Sequence, residues 1–186
     1  MFQKFDDATS PDQGPPRLAA LRTELEKGGF DGFLIPRADA HQGEYVAPAD
    51  DRLAWLTGFT GSAGFCVTLR DIAGVFIDGR YRVQVKAQVD TSHFTPVAWP
   101  ETKPGPWLKE HLPETHRMAY DPWLHTNTEV EAIEKAGVSL VASDNLVDRI
   151  WADRPAPPMG KIMVQTIELA GESHADKRAR LAAALK

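Results

Sequence analysis

From Gly32 to Val141 the chain alternates short apolar runs with segments whose apolar residues recur at helical spacing. That alternation restricts the fold to strands and helices packed in layers. The run Gly32-Phe33-Leu34-Ile35-Pro36 is short, apolar and closed by proline, so it predicts a buried strand. Phe65 to Leu69 and Gly74 to Ile77 predict two more, with Arg70-Asp71 between them. So short a link makes these two a hairpin, hence antiparallel, and the sheet as a whole mixed. His93 to Trp99, Arg117 to Tyr120 and Val138 to Val141 predict further strands.

Helices are expected between them. Pro15-Pro16 open the first, Leu18, Leu21 and Leu25 mark its inner face, and Gly28-Gly29 end it. Asp51 starts a short one carrying Leu53, Trp55 and Leu56. Tyr81 to Val89 reads as a helix with Val83 and Val85 inward, Trp107 to Leu112 as another, and Asn127 to Ala136 as a third capped by Thr126 or Asn127. The expected class is therefore α/β, a mixed β-sheet flanked by helices.

The flanks differ in composition. Residues 1–14, rich in Asp, Ser, Pro and Gly, read as a flexible leader before a domain over 15–152. Residues 153–160, Asp153-Arg154-Pro155-Ala156-Pro157-Pro158-Met159-Gly160, form a Pro-rich linker, semi-rigid and extended. Residues 161–186 hold a strand-like run, Ile162 to Ile167, and a helix opened by Ser173-His174-Ala175-Asp176. A strand and one helix cannot bury their apolar faces alone, so this stretch reads as the truncated start of a second similar domain.

The 42% apolar content suffices for a core. A net charge of -5, from 21 basic and 26 acidic residues, argues against a duplex nucleic-acid binder and against a polybasic membrane anchor. No run approaches the ~20 apolar residues of a membrane span, and the N-terminus lacks an apolar signal-peptide core. A cytoplasmic protein is expected. The single cysteine, Cys66, lies in the apolar run Gly64-Phe65-Cys66-Val67 and reads as a buried small hydrophobe.

Chemistry is sparse. In Gly58-Phe59-Thr60-Gly61-Ser62-Ala63-Gly64 the glycines are three apart after a helix, which fits no dinucleotide fingerprint. No Lys follows Gly64, as a P-loop needs, and Thr60 stands where a nucleophile elbow around Ser62 needs glycine. A tight turn is the reading left. The six histidines, His41, His93, His111, His116, His125 and His174, form no metal-binding pair on one helix face. Asp50-Asp51 reads as a capped helix start, where negative charge suits the dipole. One segment does look like a site: Asp39, His41, Glu44, Tyr45, Asp50, Arg52 and Trp55 place ionisable and aromatic groups on one long connection. A binding arm and a solvated loop with internal salt links, Arg52 to Asp39 or Glu44, both remain open.

The same segment carries a family resemblance. Asp39-Ala40-His41-Gln42-Gly43-Glu44-Tyr45 resembles the D-x-H-x-x-E-Y block of three-domain Xaa-Pro aminopeptidases, within the creatinase/prolidase superfamily. Asp51 to Gly64 is similar to their D-x-R-x-W-L-[ST]-G-F-x-G-S-A-G run. Asp78-Gly79-Arg80-Tyr81 with Gln84 resembles D-G-R-Y-x-x-Q. Asn145-Leu146-Val147-Asp148, Ile150-Trp151 and Arg154-Pro155 resemble the segment before the interdomain link. Phe65-Cys66 and Arg82 depart from residues common in the family.

The resemblance implies a creatinase/prolidase N-terminal domain of ribonuclease-H-like topology. It implies a parent enzyme that removes the N-terminal residue of peptides with proline second, using two divalent metal ions, usually Mn2+. The ligands belong to a C-terminal catalytic domain, so no catalytic residue, metal ligand or cofactor is expected here, and the fragment alone should be inactive. The implied role is substrate gating and subunit assembly, in a homodimer when full-length. Substrate-proximal candidates are Arg52 first, then His41, Tyr45 and Trp55. The rival readings are a stand-alone binding or interaction module, the N-terminal domain of a related amidinohydrolase or dipeptidase, and an independent hydrolase using Ser62 or a histidine cluster.

Overall fold

A computed structural model describes residues 9–185. Six strands form one sheet: β1 (Gly32–Pro36), β2 (Gly64–Leu69), β3 (Ala73–Ile77), β4 (Thr95–Ala98), β5 (Met118–Tyr120) and β6 (Leu140–Ala142). Their order across the sheet is β4-β3-β2-β1-β5-β6. β2 runs antiparallel to both β1 and β3, while β1–β5, β5–β6 and β3–β4 are parallel. The expected hairpin is present, closed where the Leu69 N–H donates to the Ile72 carbonyl, and the sheet is mixed.

The helices are α1 (Gly14–Gly28), α2 (Arg52–Thr57), α3 (Gln84–Gln88), α4 (Pro104–His111), α5 (Asn127–Glu134), α6 (Leu146–Ile150), α7 (Ile167–Ala170) and α8 (His174–Ala184). α1, α2, α3 and α6 cover one sheet face, and α4 and α5 the other. Successive strand side chains point to opposite faces, so each strand feeds two cores. Phe33, Ile35, Cys66, Val75 and Ile77 pack with Leu18, Leu21 and Leu25 of α1, Leu53 and Leu56 of α2, and Leu146 and Val147 of α6. Leu34, Val67, Leu69 and Phe76 face the other way, onto Trp107 and Leu108 of α4 and Ile133 of α5. Burial on both faces is why these strands read as unbroken apolar runs. Cys66 is fully buried, and burial pushes its thiol up to about 12.

Local chemistry sets the element ends. Gly29 takes the left-handed conformation (φ 62) and its N–H returns to Leu25 and Glu26 of α1. Thr126 and Glu129 form a reciprocal capping box at α5.

Several sequence expectations shift. Residues Pro11–Gln13 form a 3-10 turn capped by the Ser10 side chain, and α1 follows directly. The described part of the leader is therefore ordered against the domain; residues 1–8 of that reading lie outside the described residues. Val83 is 84% exposed rather than inward, because Gly79–Tyr81 form a 3-10 turn and α3 begins only at Gln84, leaving Val85 and Val89 to pack. Helix α6 carries no long periodic pattern; Asn145 starts it by accepting the Val147 and Asp148 N–H groups. Residues 162–166 form no strand: Ile162 is 99% exposed, and no strand among the described residues pairs with them. α8 is capped by Ser173, as expected, but no α8 residue with a described side chain is buried.

Candidate functional site

The long connection from β1 to α2 starts with a knot around Asp39. One carboxylate oxygen accepts the N–H groups of His41 (2.9 Å) and Gly43 (3.0 Å). These bonds, Gly43 first, hold the Asp39 carboxyl below its ordinary value. Gln42 sits in the left-handed region (φ 55), and its side-chain amide donates to the Leu124 carbonyl at 3.1 Å. The turn therefore has fixed footings, and His41 and Tyr45 project outward from it. Both are exposed, Tyr45 at 89%.

The other end of the connection is buried. Arg52, 5% exposed, grips Asp148 with Nε (2.7 Å) and Nη2 (3.0 Å) and reaches Asp50 with Nη1 (3.3 Å). Arg154 closes the same set through Asp50 (3.1 Å), Asp148 (2.7 Å) and the Ala49 carbonyl (2.6 Å). The two carboxylates balance the two guanidiniums, and the forked contact to Asp148 matches guanidinium geometry. Burial alone would pull the Arg52 guanidinium down; Asp148 and then Asp50 outweigh it and hold it above its ordinary value.

Beside this clasp, Trp55 stacks on Trp151 with centroids 5.1 Å apart, and Arg17 lies 4.5 Å over Trp55. The four candidates thus separate: His41 and Tyr45 face outward, while Arg52 and Trp55 tie α2 to α6 and the linker. The salt links to Asp39 or Glu44 do not form; Arg52 is engaged by Asp50 and Asp148 instead. Asp51 does occupy the N-cap position of α2, and its backbone carbonyl accepts the Trp55 N–H. Asp51 makes no side-chain cap bond and burial raises its carboxyl, while Asp50 serves the arginines.

The glycine-rich segment is a tight turn. Gly58 has φ 84, and a Cβ there would meet the Gln88 carbonyl oxygen at 2.5 Å. Two distant sequence blocks meet at it: Ser62 hydrogen-bonds Tyr81, and Gln84 and Gln88 donate to the Thr60 hydroxyl at 3.2 and 2.8 Å. The Ser62 bond, chiefly, lowers the Tyr81 phenol. His125 lies elsewhere, beside Tyr120, and burial lowers its pKa. Among the described residues no three His, Cys, Asp or Glu side chains gather as metal ligands. They do not fit a two-metal centre, and no step through one falls to them.

A cleft of about 410 Å³ lies where β1, β4 and β5 end, beside the connection. Arg37 and Gln42 line it together with Phe65, Trp99, Lys103 and Leu124. Sequence reading does not find it, because its walls come from loops far apart in the chain, with no shared motif.

The family model for the Creatinase/Prolidase N-terminal domain matches residues 17–150. The chain belongs to that family. Among curated relatives, the Probable Xaa-Pro aminopeptidase P of Coccidioides posadasii (strain C735) is 39% identical over 181 residues, 93% of this chain and 28% of that protein. The Probable Xaa-Pro aminopeptidase P of Paracoccidioides brasiliensis (strain Pb03) is 37% identical over 169 residues, 87% of this chain and 27% of that protein. A solved structure from Caenorhabditis elegans superposes with a TM-score of 0.80 at 29% identity, covering 91% of this chain and 31% of that one. That protein is an X-prolyl aminopeptidase described as a cytosolic enzyme with a di-nuclear active site. An Xaa-Pro dipeptidase from Bacillus anthracis shares the fold at a TM-score of 0.58 and 19% identity. The chain is thus a domain of the N-terminal type found in Xaa-Pro aminopeptidase-like proteins, and it spans less than a third of the length of these curated relatives. No helix among the described residues is long and apolar enough to cross a membrane.

Proposed function

We propose that this chain is the non-catalytic N-terminal domain of a longer, cytoplasmic Xaa-Pro aminopeptidase, and that its β1–α2 connection helps gate peptide entry. The observation that carries the reading is the division of that connection. Its root is locked by Arg52, Asp50, Asp148 and Arg154, while its tip presents His41 and Tyr45. A rigid base under exposed aromatic and imidazole groups is how a scaffold offers a contact surface to a neighbour. Arg52 acts from beneath, by holding the arm.

The catalytic domain would hold two divalent metals, manganese in this reading, whose chemistry would be to polarise the scissile carbonyl and activate water. Residues 161–185 fit as the opening of a second domain: Ile162, Val164, Leu169 and Leu181 are all exposed and have no buried neighbour to cover them.

The test is an assay of the chain and of the full-length protein on short and long peptides with proline second, with Mn2+ added. The expected result is turnover by the full-length protein alone, with Tyr45→Ala and His41→Ala altering kcat/KM for long peptides more than for short ones. Turnover by the isolated chain, or a full-length protein inert on every such peptide, overturns the proposal.

A further inference from the structure

The cleft's place in the sheet matters as much as its size. From β1 the chain passes to α2 on one face, and from β5 to α5 on the other. β1 and β5 are parallel neighbours, so the loops leaving their carboxyl ends diverge to opposite faces. Such a divergence opens a crevice, and in open α/β sheets that crevice is where small ligands bind. The residues after β1 (Pro36, Arg37), after β4 (Trp99, Pro100) and after β5 (Leu124, His125) all line this one cleft.

Its walls are preformed. Pro36, Pro100, Pro104 and Pro106 fix backbone around it, and the Gln42–Leu124 hydrogen bond ties the β1 loop to the β5 loop. Volume of about 410 Å³ falls within the range of small-molecule sites. The apolar side is aromatic: Phe65 and Trp99 meet edge to face at 6.1 Å.

The charge at the cleft is unequally used. Lys103 lines it, and its side-chain ammonium has no hydrogen bond or salt bridge among the described residues. Arg37 donates only to the Glu44 carbonyl (2.9 Å) and meets no carboxylate at salt-bridge distance. The one acidic side chain in the lining, Glu129, accepts from the Thr126 N–H (2.8 Å) and hydroxyl (3.0 Å). Lys103 therefore stands beside an aromatic wall without a carboxylate partner, and Arg37, whose charge acts on the Asp51 carboxyl from beyond salt-bridge distance, has no carboxylate in direct contact. In addition, His125, another lining residue, has its Nε2 buried without a hydrogen-bond partner among the described residues.

We propose that this cleft binds a small organic acid, with a flat apolar body against Phe65 and Trp99 and a carboxylate at Lys103 and Arg37. The site is complete within this chain and does not depend on the aminopeptidase reading.

Titration of the purified chain with 3-phenylpropionate, read by calorimetry and by indole fluorescence, tests it. The uncharged 3-phenylpropanamide is the control ligand. The acid should saturate one site, and the amide should bind at least five-fold more weakly. Lys103→Ala, an exposed change, should bring the acid's affinity down to that of the amide. Ala132→Phe, on the exposed side of α5 where it lines the cleft, should abolish binding of both with the circular dichroism spectrum unchanged. Absence of saturable binding overturns the proposal. So does equal affinity for acid and amide, or binding that survives both variants. Because no peptide is turned over, failure here leaves the aminopeptidase reading standing, and its failure leaves this one standing.

Discussion

The two ends of the β1–α2 connection share one sequence neighbourhood and have opposite physics. At the root, Arg52 is 5% exposed and its charge is met by Asp148 and Asp50. At the tip, Tyr45 is 89% exposed and the backbone is held by hydrogen bonds made by three side chains, those of Asp39, Gln42 and Arg37. Both ends are dense in charged and aromatic residues, which is why the stretch reads as one site. The structure shows that such a stretch can be half foundation and half display. A buried charge must be paired, so the root's arginine is committed to the fold. A side chain at the tip has no such obligation.

Breaking the root should have the largest effect. Arg52→Ala leaves Asp148 and Asp50 with Arg154 alone and should cost about 3 kcal/mol, the scale for removing one partner of a buried pair, measured by urea denaturation. Gly58→Ala comes next. It forces a Cβ into a backbone carbonyl at a φ of 84, and should cost roughly 2 kcal/mol by the same measurement.

Acid distinguishes the two ends by sign. The folded Asp39 carboxyl lies below its ordinary value, so its contribution is fully present above the ordinary carboxylate range and is lost as pH falls through the folded value. The folded Asp51 carboxyl is raised by burial, so its ionisation opposes folding, and that penalty grows as pH climbs through and above the ordinary range. Asp39→Asn should therefore lower stability near neutral pH and converge with the parent in acid. Asp51→Asn should raise stability near neutral pH and likewise converge in acid. Urea denaturation at a series of pH values checks both, and a shared sign would undo the contrast. The smallest effect belongs to the tip: Tyr45→Ala should change stability by no more than about 0.5 kcal/mol, because little of that ring is buried.

Much of the fold was legible in the residues. Leu18, Leu21 and Leu25 at helical spacing, the Arg70-Asp71 hairpin and the proline after Ile35 each act within a few residues, where periodicity and turn chemistry apply. Val83 misled because the 3-10 turn before α3 changes the phase of the helix. Residues 162–166 misled because β-propensity makes a strand only where another strand offers a ladder. Of the candidate site, the tip was legible as polar and aromatic residues on a long loop; the root's partners were not, since Asp148 lies 96 positions from Arg52. The cleft was hidden for the same reason, its walls being drawn from separate strand ends.

By itself the sequence determined the layered α/β class, the two strands of the hairpin, the caps of α1, α5 and α8 and the family blocks, because each depends on spacing along the chain. Tertiary structure decided which ionisable groups were free. Arg52 and Asp50 became part of the foundation, Lys103 and Arg37 were left beside an aromatic wall, and His41 and Tyr45 stayed in the open. Whether a charge is buried and paired depends on groups brought together through space, and spacing along the chain does not encode those distances.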